Sequence, residues 1–295
     1  MKEKLIKIII PYIIISTGFL LIYSLLYWLI FIQLKLIDIN ESIVFFFVPL
    51  GISTILVWFY FRKKLRLIET TVKFRDFTLI ITCFLLTGPI WTFQFYLDTR
   101  TEELTNLKSV DEISTNKLTK YYSIDSSFQH KDRSGLFVLK TPVNKGKEIG
   151  VFCNFTCPIS NTSEDLNNNN IWISVVFNEA FSDRVFDNEE KQTQLISNFI
   201  DSSIVLYEKH IHKTTYLKRI SNSDEASHYL KAIQQTNLPY DNEKLIILKE
   251  EKGSFESRAG TSLWWTKFSI ITSNLYWILL TIFTKLINAK KKNTL

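Results

Sequence analysis

Cys153 and Cys157 stand four residues apart, and His210 and His212 stand two apart, so these are the pairs whose types and spacing could do chemistry. A disulfide is the first reading of the cysteines. Four extended residues span about 13 Å, however, whereas a disulfide bridges Cα atoms no more than ~7 Å apart, so a bond requires a turn through Asn154 to Thr156. Free buried thiols and metal binding are the other readings. His210 and His212 lie on one side of an extended segment and could supply two of the four ligands of a zinc ion. No spacing in the chain supplies the other two, and solvated surface histidines are the plainer reading.

The stretch Gly260-Thr261-Ser262, just before an apolar run, prompts a search for an intramembrane serine nucleophile. Such a serine needs a histidine base on a neighbouring helix. All four histidines, His130, His210, His212 and His228, fall in the polar middle of the chain, so no apolar run supplies one. The chain also lacks a phosphate-binding glycine loop, a His-Glu-x-x-His pair and a Gly-x-Ser-x-Gly elbow. No catalytic residue, metal ligand set or cofactor is therefore assigned. Two other features invite a role. Phe255, Glu256, Arg258 and Gly260 form a segment suited to docking on a membrane surface, where Arg258 meets lipid phosphate or the nearby Glu256 carboxylate. Asn274, inside the last apolar run, is suited to hydrogen bonding between helices.

The elements that must position these residues follow from how the apolar residues are distributed. The 295 residues are 46% hydrophobic and 22% charged, and nearly all continuous apolar runs fall in residues 5–97 and 263–287. Four runs, Ile8 to Ile32, Ile43 to Phe61, Phe77 to Leu97 and Trp264 to Leu286, approach or exceed the roughly 20 helical residues that cross a ~30 Å hydrocarbon core. The first exceeds the length of a signal-peptide core and no small-x-small site follows it, so a retained helix is expected. The fold class expected is a polytopic α-helical membrane protein with four transmembrane helices and an α+β extracytoplasmic domain. Its parts are residues 1–97, 98–262 and 263–295.

Charge sets the expected orientation. The net charge is +6, but residues 98–262 hold 20 Lys and Arg against 24 Asp and Glu, so the excess positive charge flanks the apolar runs and gives no reason to expect a nucleic-acid partner. Residues 2–7, 62–76 and 285–292 together carry 13 basic residues against Glu3, Glu69 and Asp76, while the loop from Gln33 to Ser42 carries only Lys35 with Asp38 and Glu41. Both termini are expected in the cytoplasm and the polar stretch outside it. No charge lies inside the first three runs or between Lys267 and Lys285 of the fourth, and no internal repeat is visible, which argues against pumps, transporters and channels.

In the polar stretch, a helix is expected over Val110 to Leu118 and strands over Tyr121 to Phe128, Leu136 to Thr141, Glu148 to Phe155 and Ile171 to Phe177. Gly135 and Asn144 to Gly146 read as turns, and Asn167 to Asn170 as an exposed loop. A helix over Glu189 to Lys209 should turn Leu195, Phe199, Ile200, Ile204 and Tyr207 inward. After a strand over Thr215 to Ile220, Ser223 should cap a helix burying Ala226, Tyr229, Leu230 and Ile233. Lys244 to Leu248 reads as the last strand.

Four short segments carry a family resemblance: Lys120-Tyr121-Tyr122, the turn Gly146-Lys147, Tyr216 to Asp224 reading Tyr-Leu-x-Arg-Ile-x-Asn-Ser-Asp, and Phe255 to Gly260 reading Phe-Glu-x-Arg-x-Gly. Their order resembles the long N-terminal membrane region attached to some rhomboid-family proteins of the Bacteroidetes. The Gly-x-Ser-Gly motif and membrane histidine of the protease module are missing here, so no catalytic residue carries over. The resemblance implies a bacterial inner-membrane protein. Two function classes remain: a non-catalytic membrane protein whose external domain binds or senses a protein, a second copy or an envelope component, and a membrane-surface enzyme or accessory subunit of a rhomboid-like protease system.

Overall fold

The computed structural model describes residues 2–34, 43–164, 170–182, 189–210 and 216–286. Lys35, Asp38, Glu41, Asn167 to Asn169, His212 and Lys290 to Lys292 lie outside the described residues. The chain forms two compact units, one of residues Met1–Thr101 with Ser257–Leu295, the other of Glu102–Glu256. The first holds helices α1 (Leu5–Gln33), α2 (Ile43–Leu65) and α3 (Val72–Arg100). After α4 (Glu189–Lys209) and α5 (Asp224–Gln235) of the second unit, α6 (Ser262–Phe283) returns to the first.

These four helices of the first unit are long and apolar enough to cross a membrane. Their outer faces are apolar, with Ile14 65% and Ile271 64% exposed. Their shared core gathers Ile8, Tyr12, Val57, Phe61, Leu86, Trp277 and Leu280. Tyr12 stacks on Trp277 at 4.6 Å and meets Phe61 edge-on at 5.5 Å, contacts worth about 0.5–1.5 kcal/mol each beyond area burial.

Pro89 explains one tie between the helices. It sits inside α3, and because proline has no N–H the carbonyl four residues back, Leu85, loses its helical donor. The Ser273 hydroxyl of α6 donates to that carbonyl at 2.9 Å. Ser273 has one hydrogen to give, so the Tyr12 hydroxyl, which also contacts it, is the donor in that second bond. A relay from α1 through α6 to α3 thereby fills the gap the proline leaves, as membrane helices with internal prolines require. The hydroxyls of Ser53 and Thr87 join α2 to α3 at 2.8 Å, and those of Thr92 and Ser269 join α3 to α6 at 3.2 Å.

One end of this unit brings Lys4 to the end of α6. Lys4 Nζ donates to the Thr281 carbonyl at 2.9 Å near the end of α6, and Ile68–Glu69 pairs antiparallel with Lys285–Leu286. The N-terminus, the basic α2–α3 connection and the end of α6 therefore share one side of the bundle. Arg62 lies 4.3 Å over the Trp58 ring there.

The second unit is a mixed eight-stranded sheet: β1 (Leu104–Leu107), β2 (Tyr121–Ile124), β3 (Phe128–Gln129), β4 (Gly135–Val143), β5 (Glu148–Ser160), β6 (Ile171–Ser182), β7 (Tyr216–Ile220) and β8 (Ile246–Glu251). The order is β1-β2-β7-β8-β6-β5-β3, with β4 also on β5. The pairs β1–β2 and β6–β8 are parallel and the rest antiparallel. Alternation assigns the faces. Cys153 and Phe155 of β5 and Val175 and Phe177 of β6 pack with Phe199, Ile200 and Tyr207 of α4. On the other face, Trp172 of β6 and Ile247 of β8 pack with Tyr229 and Ile233 of α5. Ser223 caps α5 as its sequence position predicts, accepting from the Ala226 amide at 3.2 Å.

Some boundaries differ from expectation. The helix read over Val110 to Leu118 is a single turn, Glu112–Thr115, and the strand read over Tyr121 to Phe128 is two strands. Gly135 is read as a turn but begins β4, where a Cβ would lie 1.9 Å from the Ala232 carbonyl oxygen of α5. The glycine is there to let helix and strand backbones touch.

Candidate functional site

Three of the four segments behind the family resemblance converge in the sheet unit. Tyr121 of β2, Tyr216 of β7 and Phe255 bring their ring centroids within 5.5–5.7 Å of one another in edge-to-face pairs. The β2 and β7 segments are further tied by the Arg219 amide on the Lys120 carbonyl at 2.7 Å and by Arg219 Nε on the Thr119 carbonyl at 3.0 Å. The expected docking segment is thus divided between the two units. Phe255 completes this aromatic cluster, whereas Arg258, in the helical unit, donates through Nη2 to the Arg100 carbonyl at 3.1 Å at the end of α3. Gly260 follows with φ +48°, a left-handed conformation that glycine adopts without penalty.

The titratable groups of the sheet unit gather at the C-terminal end of α4. Lys131 Nζ donates to the Tyr207 carbonyl at 3.0 Å, to Glu208 at 3.2 Å and to His210, placing a cation where the helix dipole is negative. His210 Nε2 lies 2.8 Å from Glu250 Oε2. Burial, then the charges of Lys131 and Lys252, hold His210 below the ordinary histidine value, so the neutral ring donates Nε2–H to the Glu250 carboxylate. Beneath them, burial pushes the Cys157 thiol up to about 11, and burial also raises Cys153. Neither thiol is an activated nucleophile.

A second pair was not legible in the sequence because its partners lie thirty residues apart. His130 Nε2 lies 2.8 Å from Ser160 Oγ, both buried. Ser160 donates its only hydrogen to the Thr162 carbonyl at 2.7 Å, so His130 is the donor to the serine. That polarity is the reverse of a nucleophile–base dyad, and the pair locks β5 to the segment after β3.

One open reading is decided and one expected role is corrected. Cys153 and Cys157 are free buried thiols, one of the readings the sequence allowed, because β5 runs unbroken from Glu148 to Ser160 where a bridge would have needed a turn. Asn274 does not tie helices together: its amide donates to the Ile270 carbonyl of its own helix at 2.8 Å, and the neighbouring Ser273 makes the interhelical bonds instead. Among the described residues no three His, Cys, Asp or Glu side chains are grouped to hold a metal. His210, the described member of the His-x-His pair, is engaged with Glu250.

The outward face of α4 is the remaining candidate. Its N-terminal half is polar, with Glu190, Thr193, Gln194, Ser197 and Asn198 lining an open hollow of about 560 Å³. Its C-terminal half is apolar: Ile204 is 36%, Val205 47% and Leu206 54% exposed. Among the described residues of α4, Ile196, Ser203 and Tyr207 are buried; Tyr207 is inside as its spacing predicts, whereas Ile204, also expected inside, faces out. Comparison with known protein families, with curated proteins and with solved structures finds no match for this chain.

Proposed function

We propose that the chain is a non-catalytic bacterial inner-membrane protein whose sheet unit lies outside the cytoplasm and binds or senses a protein or an envelope component. The observation that carries the reading is the exposed apolar run Ile204–Val205–Leu206 on α4, adjoining a polar stripe on the same helix. An exposed apolar patch beside polar side chains fits a protein-binding surface. The membrane assignment is supported by four apolar helices whose outward faces carry residues such as Ile14 and Ile271. The meeting of Lys4 and the end of α6 with the basic α2–α3 connection supports two cytoplasmic termini under the positive-inside bias.

Two measurements test the two halves of this reading. In intact spheroplasts, an impermeant thiol reagent should label Asn168→Cys and spare Lys64→Cys; labelling of the second alone inverts the orientation. A photo-crosslinking residue at Val205 should give a discrete adduct in cells, while one at the exposed Glu243 gives none. An adduct of twice the chain mass identifies a second copy as the partner. Indistinguishable yields at both positions would remove α4 as the binding surface.

A second reading, an accessory or regulatory part of a rhomboid-like protease system, is favoured by the meeting of Tyr121, Tyr216 and Phe255 from three resemblance segments.

A further inference from the structure

The helical unit holds a cavity of about 390 Å³ at the end where α3 finishes and α6 begins. Three aromatic side chains line it, Trp91 and Phe95 of α3 and Trp265 of α6, beside Thr92, and the segment Arg258 to Ser262 closes it. Among the described residues no acidic side chain lines it. Arg258 brings a permanent positive charge, and the Trp91 indole N–H is buried without a hydrogen-bond acceptor. The start of α6 adds to this field. Thr261 provides no side-chain cap, and the first intrahelical bond is from Trp265 to Thr261, which leaves the Leu263 and Trp264 amides as the donors of an uncapped 22-residue helix.

We propose that this cavity binds one anionic phospholipid, with the headgroup phosphate at Arg258 and the start of α6 and an acyl chain against Trp91, Phe95 and Trp265. The argument for a lipid over other occupants is the combination of charge and wall chemistry. The Arg258 charge beside the start of α6 matches a phosphate, and aromatic side chains on helices apolar enough to lie in a bilayer match a hydrocarbon chain. A free anion would leave those walls wet, and an apolar solute would gain nothing from the Arg258 charge. The exposed pair Trp264 and Trp265, packed around Phe268, is the aromatic surrounding expected at headgroup depth.

This inference rests on the membrane reading above, and the experiment separates the two. Membranes containing the full-length protein are first washed with alkaline carbonate; release of the protein overturns the membrane reading and the lipid site with it. The retained protein, purified in detergent, is then titrated with phosphatidylglycerol, phosphatidylcholine or inorganic phosphate and examined by native mass spectrometry. Phosphatidylglycerol should be retained as a single adduct, and Arg258→Gln should weaken it about five-fold, the effect of one basic charge near an anionic lipid. Ala259→Phe, which fills the cavity without removing charge, should weaken it as well. Lys64→Gln, at the opposite end of the bundle, should leave it unchanged. Should Arg258→Gln fail to fold, Ala259→Phe decides the question. Wild-type retention in the cavity variants, equal retention of phosphatidylcholine, or binding of inorganic phosphate alone overturns the proposal.

Discussion

Hydroxyls inside the helical unit mostly turn back on their own helices, as Thr78 does on Phe74, Thr82 on Thr78 and Thr281 on Trp277, whereas Ser174 inside the sheet unit reaches from β6 to the Leu248 carbonyl of β8. The outer surfaces differ in the opposite sense. The helical unit shows apolar side chains outward around a core that includes buried hydroxyls, while the sheet unit buries Leu107, Ile113, Ile173 and Leu248 and turns charges outward. The two surfaces suit different solvents. In hydrocarbon no water rescues an unpaired group, so a carbonyl orphaned by a proline needs a local donor, as Leu85 has in Ser273. In water the gain comes from removing apolar area, so strands and helices are pressed together until backbones touch.

The largest expected effect comes from breaking that close approach. Gly135→Ala should destabilise the sheet unit by about 3 kcal/mol or more, since the clash is with helix backbone and neither element can yield cheaply. Gly51→Ala in α2 meets nothing within 4 Å and should be neutral or stabilise by about 0.5–1 kcal/mol. Melting of both variants of the full-length protein in detergent checks the contrast; equal losses would show that the two units do not differ in packing as described.

The relay at Pro89 predicts a smaller effect. Ser273→Ala removes the partner of both the Leu85 carbonyl and the Tyr12 hydroxyl and should cost about 2 kcal/mol. Pro89→Ala restores an amide donor within α3, so the double variant should lose about 1 kcal/mol less than the sum of the singles. Strict additivity in the thermodynamic cycle would show that Ser273 is not compensating for the proline.

Much of this contrast was legible in the sequence where the signal is local. Four apolar runs, the Ser223 cap and the alternation in β5 and β6 depend on residues near one another in the chain. Asn274 misled because it is the one amide near the middle of α6, yet the residue that matters is the weakly polar Ser273, whose value is set by a proline on another helix. Ile204 misled because several consecutive residues near the end of α4 are apolar, and spacing alone does not say which of them overhang the sheet. The His130–Ser160 and His210–Glu250 pairs depend on strand register, which no spacing within either segment reveals.

The smallest expected effect concerns pH and belongs to the sheet unit alone. His210 is held below its ordinary value, so the unfolded chain takes up a proton first as pH falls. Stability is complete above about pH 6.5 and declines as the pH drops below it. Removing the titrating ring with His210→Gln should flatten that decline in melting profiles of the sheet unit. A decline of the same size in the variant would assign it to other groups.

Lys4 holding the end of α6 also sets an order of assembly. The sheet unit, residues 102–256, is synthesised between α3 and α6, which at roughly 5 to 20 residues per second occupies the ribosome for on the order of ten seconds. Throughout that interval the Leu85 carbonyl and the Tyr12 hydroxyl await a serine that has not yet been made. The first three helices must therefore persist as an unfinished bundle, and its closure reports that the whole polar insert has been translated.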